Sequence, residues 1–453
     1  MTDVVARLRA ALGERVDTSD AALQHARADK SGHAATSVPL AVVHAESIAD
    51  VQETLRIASA TGTPVVARGA GTGLAGGANA GAGEIALSLA RMDRILEVRP
   101  DDLIAVVEPG IVNADLNDAL EPMGLWWAPD PASRAISTVG GNIATGAGGL
   151  LCAKYGVVRD AVLGVDLVLA DGGLLRLGHR SVKGVTGYDL TSLVIGSEGT
   201  LGVVVGATLK LRRLVDGESR TVTAVFADVR AAATASSAVT AVGLQPAIME
   251  LMDAASLAAV HDLLGLPAPS AGAAQLTVQT DGPVAASEAE RIAEVLRAHG
   301  GGVSVAADRA EGERLLHVRR SMHPAMERLG TTLIEDVSVP RSALPAMFDE
   351  IARIERAYGL TIPTVAHAGD GNLHPNFVFE GPDVPPDVWD AADDLFHAAL
   401  RLGGTLTGEH GIGVLKRRWL ADELGPEQWE LQRRVKAAFD PAGIMNPGKV
   451  FAP

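Results

Sequence analysis

The chain has 453 residues, a length that suits two or three domains with a large buried core. Lysine and arginine total 39 and aspartate and glutamate total 55, so the formal net charge is −16 at pH 7. Because phosphate binding needs a basic face, this acidic balance argues against a nucleic-acid partner. A single cysteine, Cys152, excludes an internal disulfide and agrees with a reducing compartment.

The hydrophobic pattern argues against a membrane-spanning or secreted chain. No uninterrupted apolar run reaches the roughly 20 residues that a helix needs to cross a bilayer. The first residues, Met-Thr-Asp-Val-Val-Ala-Arg, lack the basic-then-apolar pattern of a secretory signal. We therefore expect a cytoplasmic protein without a transmembrane segment, either free in solution or peripheral to the membrane.

The first half of the chain is dense in glycine and in short strands. Asp50 is predicted to cap an amphipathic helix that runs to about Gly62, followed by a strand over Pro64–Arg68. Further strands are predicted over residues 85–89, 104–107, 164–170 and 201–211. The tripeptide Asp171-Gly172-Gly173 predicts a hairpin turn between the strand that ends at Ala170 and a following strand over 174–177.

The second half alternates strands and helices. Glycine density falls around Val215–Glu218, where we predict a domain boundary. Beyond it, strands are predicted over 221–226, 275–279, 303–306, 337–339 and 360–365, and helices over 229–242, 285–299, 312–329 and 343–358. Repeated strand–helix units with antiparallel hairpins predict α+β sandwiches with helices on one face.

A glycine-rich loop over Arg68–Gly77 contains the spacing Gly71-x-Gly73-x-x-Gly76 directly after a predicted strand. This is the spacing of a Rossmann dinucleotide site, but a Rossmann loop must open an amphipathic helix, and here glycine-rich chain leads into another strand. We therefore predict a backbone N–H nest for a pyrophosphate, with a ligand-free structural loop as the alternative. Two more glycine loops, over 138–149 and 195–202, favour the ligand.

Two histidines flank the dipeptide Asp370-Gly371, which is typical of a two-residue hairpin turn. Such a turn would set His367 directly opposite His374, with side chains roughly 5 Å apart. Downstream, Glu409 and His410 add a carboxylate and a third imidazole. Two histidines and one carboxylate are a recurring catalytic metal set. The alternative is a pair of hydrogen-bonded structural histidines on a turn.

Taken together, these motifs resemble the FAD domain of the vanillyl-alcohol-oxidase (PCMH-type) superfamily. The segments that carry the resemblance are 68–77, 129–133, 138–149, 154–156 and 196–202. His367–Asn376, Glu409–Gly411 and Asn446–Lys449 resemble one branch of it, which holds D-lactate dehydrogenases, D-2-hydroxyglutarate dehydrogenases and the FAD subunit of glycolate oxidase. The resemblance covers nearly the whole chain.

The resemblance implies an α+β fold with noncovalently bound FAD, since the first glycine loop carries no histidine to attach it. The implied divisions are an N-terminal helical segment (1–36), a two-part PCMH-type FAD-binding domain (37–216), an α+β, ferredoxin-like cap for substrate and metal (217–415) and a C-terminal segment returning to the flavin (416–453). The implied FAD contacts are Arg68, Gly69, Ala70, Gly71, Thr72, Gly73, Gly76, Gly77, Pro131, Ser137, Thr138, Gly141, Asn142, Glu198, Gly202 and Asn446.

The implied reaction is oxidation of a 2-hydroxy acid, with hydride transfer from Cα to the flavin. A zinc or manganese ion would hold the substrate hydroxyl and carboxylate and stabilise the developing alkoxide. Its implied ligands are His367, His374 and Glu409. His410 is implied as the general base. Arg319 matches the arginine that binds the substrate carboxylate in the family, although Arg320 could exchange roles with it, and Asn376 would support the carboxylate or the metal shell.

One departure bears on the substrate. In the hydroxyglutarate branch a lysine precedes the motif that here reads Asp336–Pro340, whereas this chain has Ile334-Glu335. With no cation there for a distal carboxylate, we expect a small monocarboxylate such as D-lactate or glycolate; the D preference is carried over from the family. The alternative distal anchor is the basic cluster Lys416, Arg417 and Arg418, and a solvated surface is the simpler interpretation of that cluster.

Three other functions stay open: a D-2-hydroxyglutarate dehydrogenase, a transferase similar to alkyl-glycerone-phosphate synthase, and a non-catalytic flavoprotein subunit of an oxidase complex. The paired histidines followed by Glu-His favour a hydroxy-acid dehydrogenase. Because no cysteine cluster or haem motif is present, electrons must leave to an external acceptor, a quinone or an electron-transfer protein. Whether the chain forms a homodimer is left open.

Overall fold

The computed structural model describes residues 2–381 and 383–451. The chain divides into two compact units. The first unit comprises Met1–Gly149, Gly156–Leu214 and Glu409–Pro453, and the second comprises Leu150–Tyr155 and Val215–Gly408. Within the described residues no helix has the length and apolar character that spanning a membrane requires.

The first unit contains two main sheets and a small ribbon. Its strands are β1 (Val16–Asp17), β2 (Ala41–His44), β3 (Val65–Arg68), β4 (Ile85–Ser88), β5 (Ile95–Arg99), β6 (Ile104–Val107), β7 (Leu125–Trp126), β8 (Val162–Val168), β9 (Leu174–Gly178), β10 (Val203–Lys210) and β11 (Arg212–Arg213). The strand orders are β1-β2-β4-β3 in one sheet and β5-β6-β10-β8-β9 in the other, while β11 pairs with β7. The predicted hairpin at Asp171–Gly173 is confirmed, because β8 and β9 pair antiparallel around it.

The helices of the first unit pack on these sheets. They are α1 (Thr2–Leu12), α2 (Asp20–Ala26), α3 (Ile48–Thr61), α4 (Asn113–Leu120), α5 (Val139–Thr145), α7 (Leu190–Val194) and α15 (Leu420–Phe439), the last kinked at Gly425. The short helix α6 (Cys152–Tyr155) belongs to the second unit. One apolar core joins Leu8 of α1 and Leu55 of α3 to Leu87 of β4, and a second surrounds Trp127 and Leu167.

The cap of helix α3 differs from the prediction. The helix starts at Ile48 and its N-cap is Ser47, whose hydroxyl accepts a hydrogen bond from the Asp50 backbone N–H at 3.2 Å. Asp50 lies inside the first turn and accepts from the Glu46 backbone N–H at 3.0 Å. The Ser47 hydroxyl thus satisfies one donor of the first helical turn, and the Asp50 carboxylate satisfies the N–H of Glu46 just before the cap, so Asp50 stabilises the helix start without being its cap.

The second unit is built on one eight-stranded sheet. Its strands are β12 (Glu218–Phe226), β13 (Ile248–Met252), β14 (Ala274–Gly282), β15 (Gly302–Val305), β16 (Thr331–Ile334), β17 (Val337–Ser338), β18 (Thr364–His367) and β19 (Asn372–Phe379). They follow the order β15-β12-β14-β13-β18-β19-β16, with β17 also paired to β19. The helices are α8 (Val229–Ala241), α9 (Ala254–Leu264), α10 (Ala285–Ala298), α11 (Arg309–Arg320), α12 (Met322–Leu329), α13 (Leu344–Tyr358) and α14 (Pro386–Arg401).

The single helix predicted over 312–329 is wrong, because the structure has two helices that meet at Ser321. Pro324 lacks a backbone N–H, so it cannot donate to the Arg320 carbonyl and continue the ladder of hydrogen bonds. The Ser321 hydroxyl donates to the His317 carbonyl at 2.8 Å, which satisfies one of the carbonyls at the end of α11. The break sets Arg319 in the last turn of its helix.

The turn between β18 and β19 is longer than the predicted two residues. His367 pairs with Asn372, Ala366 with Leu373 and Val365 with His374, so four residues form the turn and His367 does not oppose His374. The His367 carbonyl accepts from the backbone N–H groups of both Asp370 and Gly371, at 3.2 and 2.9 Å. The bond from Gly371 spans five residues, from His367 to Gly371, and closes a wider turn than the tight hairpin that Asp-Gly predicts.

The turn predicts a strong effect of Gly371→Ala on stability. Gly371 has a φ of +95°, and a Cβ there would lie 2.1 Å from the Val339 carbonyl oxygen. We expect a loss of about 2–4 kcal/mol of unfolding free energy, from the positive φ and from overpacking. Gly381→Ala is the matched control, since Gly381 has the same φ of +95° with nothing within 4 Å of its added Cβ. Equal denaturation midpoints for the two variants would contradict the packing of this turn.

Candidate functional site

The first glycine loop connects two parallel strands without a helix. Residues 69–84 lie between β3 and β4, whose register pairs Val65 with Ile85, so the Rossmann interpretation is excluded. Gly71 and Gly76 have φ values of +69° and +78°. A Cβ on Gly76 would lie 2.5 Å from the Val414 side chain, so this loop requires glycine for packing as well as for conformation.

The charged side chain at the start of this loop braces it. The Arg68 guanidinium donates to the carbonyls of Ala78 and Ala28 at 3.0 and 2.8 Å. Burial lowers the pKa of Arg68, and the nearby Asp29 carboxylate opposes that shift. Arg68 therefore fixes the shape of the loop, and the predicted pyrophosphate contacts would come from the loop backbone.

The predicted contacts on the second glycine loop lie at the start of α5. Thr138 caps this helix, and its hydroxyl accepts from the Gly141 backbone N–H at 3.3 Å. The Asn142 amide donates to the Ser137 hydroxyl at 3.1 Å and accepts from the Asn113 amide at 3.1 Å. The two glycine loops meet closely, because a Cβ on Gly69 would lie 2.3 Å from the Thr138 hydroxyl.

Glu198 and Asn446 tie the first glycine loop to the C-terminal part of the same unit. The Glu198 carboxylate accepts from the backbone N–H groups of Ile412 and Gly413, at 2.7 and 2.9 Å. Burial raises the pKa of Glu198 to about 7, against the lowering effect of those two donors. The Asn446 amide donates to the carbonyls of Gly77 and Glu198 at 2.9 and 2.6 Å. Both residues thus assemble the loops predicted to hold FAD.

The remaining predicted FAD contacts occupy the same unit. Pro131 is buried, and Ala70, Thr72 and Gly73 lie in the first glycine loop. A Cβ on Gly77 would lie 2.8 Å from the Glu198 carboxylate, and one on Gly202 would lie 2.8 Å from the Val168 carbonyl.

The second unit brings His367 and His374 together despite the longer turn. His367 is paired with Asn372, so His374 lies two residues further along the neighbouring strand on the same face of the sheet. This diagonal relation leaves the ring centroids 5.0 Å apart at an interplanar angle of 80°. Both imidazoles are buried. The histidines therefore converge through a register other than the predicted one.

Glu409 joins these histidines. Ligand atoms of His367, His374 and Glu409 all lie within 4.8 Å of one another. The chain entering Glu409 is held by Asp336, whose carboxylate accepts from the Thr407 hydroxyl and, at 2.9 Å, from the Gly408 backbone N–H. Two imidazoles and a carboxylate with this spacing fit a zinc or manganese ion.

Two buried carboxylates that sequence reasoning did not assign lie behind the imidazoles. Glu250 Oε1 lies 2.7 Å from His367 Nδ1, and Asp336 Oδ1 lies 3.8 Å from His374 Nδ1. Metal-bound histidines commonly donate their second ring nitrogen to a carboxylate; the Glu250–His367 contact has the distance of such a hydrogen bond, and the Asp336–His374 contact is longer than one. A signal for Glu250 existed: it is the one acidic residue in the apolar strand Ile248–Met252.

The predicted substrate residues occupy distinct positions. The Arg319 side chain is 11% exposed and its Nε lies 2.7 Å from Glu250 Oε2, whereas Arg320 is exposed and pairs with Glu313 on the helix surface. The order Arg319 inside, Arg320 outside is therefore the one the structure has. Asn376 is buried, and its amide donates to the carbonyls of Pro363 and His374 at 3.1 and 2.8 Å.

His410 and the basic cluster belong to the first unit. His410 is partly buried and directly follows Glu409. Lys416 is buried, Arg417 donates to the Gly448 carbonyl, and Arg418 is exposed with its guanidinium 4.7 Å from the Trp419 ring centroid. The expectation of a solvated surface therefore fails for Lys416.

Comparisons with known proteins agree with this architecture. Residues 216–450 match the family model described as FAD linked oxidases, C-terminal domain, and residues 39–178 match the FAD binding domain model. The glycolate oxidase subunit GlcD of Bacillus subtilis is 40% identical over 423 residues, covering 92% of this chain and 90% of that protein. The mitochondrial D-lactate dehydrogenase [cytochrome] of Arabidopsis thaliana is 31% identical over 465 residues, covering 100% and 80%.

A solved structure shows the same fold at greater distance. A crystal structure of p-cresol methylhydroxylase with substrate bound aligns with a TM-score of 0.78 at 16% identity, covering 100% of this chain and 97% of that one. The α+β, PCMH-type architecture expected from the sequence is thereby confirmed. The chain therefore belongs to the family of FAD-linked oxidases, as an FAD-dependent oxidoreductase.

Proposed function

We propose that the protein oxidises a small D-2-hydroxy acid, of the D-lactate or glycolate class, to the 2-oxo acid with the help of a divalent metal. The observation that carries the proposal is the convergence of His367, His374 and Glu409 ligand atoms within 4.8 Å. Two relatives, named for glycolate oxidase and D-lactate dehydrogenase, support the substrate class. FAD would take the hydride from Cα, and an external quinone or electron-transfer protein would take the electrons.

The metal ligands would act on the substrate hydroxyl. A zinc or manganese ion on these three residues supplies a Lewis acid that lowers the pKa of a bound hydroxyl. Neutral imidazoles are needed for this; the Glu250 carboxylate would hold the orientation of the His367 ring, and Asp336 lies 3.8 Å from His374 Nδ1. Water exclusion also fits, because both imidazoles are buried.

Arg319 and Asn376 would position the substrate, and His410 would take its proton. Because the Arg319 Nε forms an ion pair with Glu250 at 2.7 Å, a substrate carboxylate would be received by the two Nη groups of the guanidinium fork. The buried Asn376 would support that carboxylate or the metal shell. His410, adjacent in sequence to a metal ligand, would accept the hydroxyl proton as general base.

The flavin would be held noncovalently by the two glycine loops of the first unit. We propose that FAD contacts the backbone of residues 69–77 and the other residues that the sequence predicted, on α5 and later in the chain. We also propose the domain limits that the sequence predicted, with the FAD-binding domain at 37–216. The side chains of Arg68, Asn142 and Asn446 bond within the protein, so they would shape the site more than touch the cofactor. We place the protein in the cytoplasm or at the membrane surface.

Substrate size follows from the strand edge beside Asn376. Ile334 pairs with Asn376 across β16 and β19, so an aliphatic side chain shares the face that carries His374. The next residue, Glu335, is a buried carboxylate. A distal carboxylate on a substrate bound at the face of Asn376 would therefore meet an apolar neighbour in Ile334. A dicarboxylate such as D-2-hydroxyglutarate would need another cation, and the buried Lys416 is the alternative.

The other functions receive less support. A transferase without net oxidation and a non-catalytic electron relay both fit the fold, but a relay needs no metal chelate, and the named relatives are an oxidase subunit and a dehydrogenase.

His374→Ala and His410→Ala should fail in different ways. Loss of His374 removes a ligand, so we expect loss of bound zinc and of D-lactate-driven flavin reduction. Loss of His410 should slow flavin reduction by about 10²–10⁴-fold while zinc and FAD content stay at wild-type values. Anaerobic stopped-flow absorbance with elemental analysis measures both.

The control for these variants is His397→Ala, on a histidine of α14 that lies partly exposed beside Asp393. It should behave as the wild type. Full D-lactate-driven flavin reduction in a wild-type sample free of zinc and manganese would contradict the metal-dependent mechanism.

A panel of 2-hydroxy acids should favour D-lactate and glycolate over D-2-hydroxyglutarate in kcat/KM, by about 10-fold or more, because an unpaired distal carboxylate loses its hydration without gaining a partner. Lys416→Met tests the alternative anchor. If D-2-hydroxyglutarate is the best substrate and Lys416→Met selectively raises its KM, the monocarboxylate proposal is wrong.

A further inference from the structure

The second unit contains a buried chain of polar groups that links the proposed metal site to Arg319. Glu250 lies on β13 directly opposite His367 on β18. Both residues are buried, and Glu250 is only 1% exposed. A carboxylate so deep in a sheet is costly unless its oxygens are paired. Packing alone does not account for its position, and its partners indicate its role.

Each carboxylate oxygen of Glu250 has its own partner. Oε1 lies 2.7 Å from His367 Nδ1, and Oε2 lies 2.7 Å from Arg319 Nε. A carboxylate oxygen at this distance accepts a hydrogen bond from an imidazole N–H, so the contact favours the tautomer of His367 that carries the proton on Nδ1. The other ring nitrogen, Nε2, then carries the lone pair that a metal ion requires.

The neighbouring pair on this sheet face shows how the polar chain is enclosed. Met252 pairs with Val365, two residues along each strand from Glu250 and His367. Both belong to an apolar cluster with Met322 and Met326 of α12. Arg319 comes from the last turn of the preceding helix, α11. Apolar packing thus sets the separation between α12 and the sheet. The Arg319–Glu250 pair lies next to this apolar cluster, two residues along β13 from Met252.

We propose that Glu250 is a positioning residue that selects the metal-binding tautomer of His367 and, through the same carboxylate, fixes the orientation of Arg319. This inference rests on the proposed function, since it assigns a role toward the metal. It makes metal affinity and substrate-carboxylate binding depend on one buried side chain that touches neither ligand.

Glu250→Gln is the sharpest substitution because it keeps the size and removes one acceptor. Arg319 can only donate, so it will claim the amide oxygen, and the amide NH₂ will then face His367 Nδ1. That arrangement favours a proton on Nε2 of the imidazole, which blocks metal binding there. We expect zinc affinity to fall by about 10–100-fold, with FAD content unchanged, and the KM for D-lactate to rise.

Zinc affinity is measured on the purified holoenzyme by competition with a chromophoric chelator, beside a thermal unfolding scan. Asp253→Asn is the matched control: this partly buried carboxylate caps α9 and accepts from the Thr364 backbone N–H at 2.8 Å, three residues from Glu250 in sequence. It should lower the unfolding temperature and leave zinc affinity within about 3-fold of wild type. Equal zinc affinity in Glu250→Gln and wild type would overturn the proposal.

Two further results separate this inference from the proposed function. If His374→Ala binds zinc as tightly as wild type, the metal is elsewhere and the proposed function itself fails. If Glu250→Gln does not fold, the zinc-loaded wild type decides, through ¹⁵N NMR of labelled histidines with His367→Gln for assignment. Zinc on Nε2 with a protonated Nδ1 supports the role of Glu250, and zinc on Nδ1 refutes it.

Discussion

The antiparallel pairing of β13, β18 and β19 is the constraint on which the proposed site depends. Pairing sets Glu250 opposite His367, and it sets His374 diagonal to His367 on the same face. Side chains on one face of a sheet have fixed separations, so the imidazoles meet without help from a flexible loop. A shift of one residue in either ladder would turn one of these side chains to the opposite face.

Charge compensation accounts for how polar groups persist in this interior. Glu250 and Asp336 are both buried; Asp336 accepts hydrogen bonds from several donors, and Glu250 lies against His367 Nδ1 and forms an ion pair with Arg319. Asp336 also receives the Asn372 amide, so the turn and the chain entering Glu409 share one anchor. Buried networks of this kind are stabilising only when their members are satisfied.

The sequence predicted helices and strands better than the turns that connect them. Long periodic helices such as 229–242 and the strand pattern around the glycine loops were found close to their observed bounds, because amphipathic spacing is local. Turn length was not: Asp370-Gly371 favours a two-residue turn, but the His367 carbonyl closes a longer one. The convergence of His367 and His374 was nonetheless expected, because either register leaves them within reach.

The missed residues were those whose role depends on partners distant in sequence. Glu250 lies 117 positions from His367, and nothing in its strand indicates which histidine it meets. Asn446 was predicted as an FAD contact, but its hydrogen bond to the Gly77 carbonyl, across 369 positions, was not. Family resemblance named many candidates but did not distinguish side chains that touch a ligand from those, such as Arg68, that hold a loop in shape.

The central claim is that His367, His374 and Glu409 hold a divalent metal, and a crystal structure of the manganese- or zinc-loaded holoenzyme tests it most directly. Anomalous data collected on both sides of the metal edge locate the ion without a model of the site. If these residues hold the metal, one strong anomalous peak will lie about 2.0–2.2 Å from a ring nitrogen of each histidine and from a Glu409 oxygen. A fully loaded protein with no peak between these three residues would contradict it.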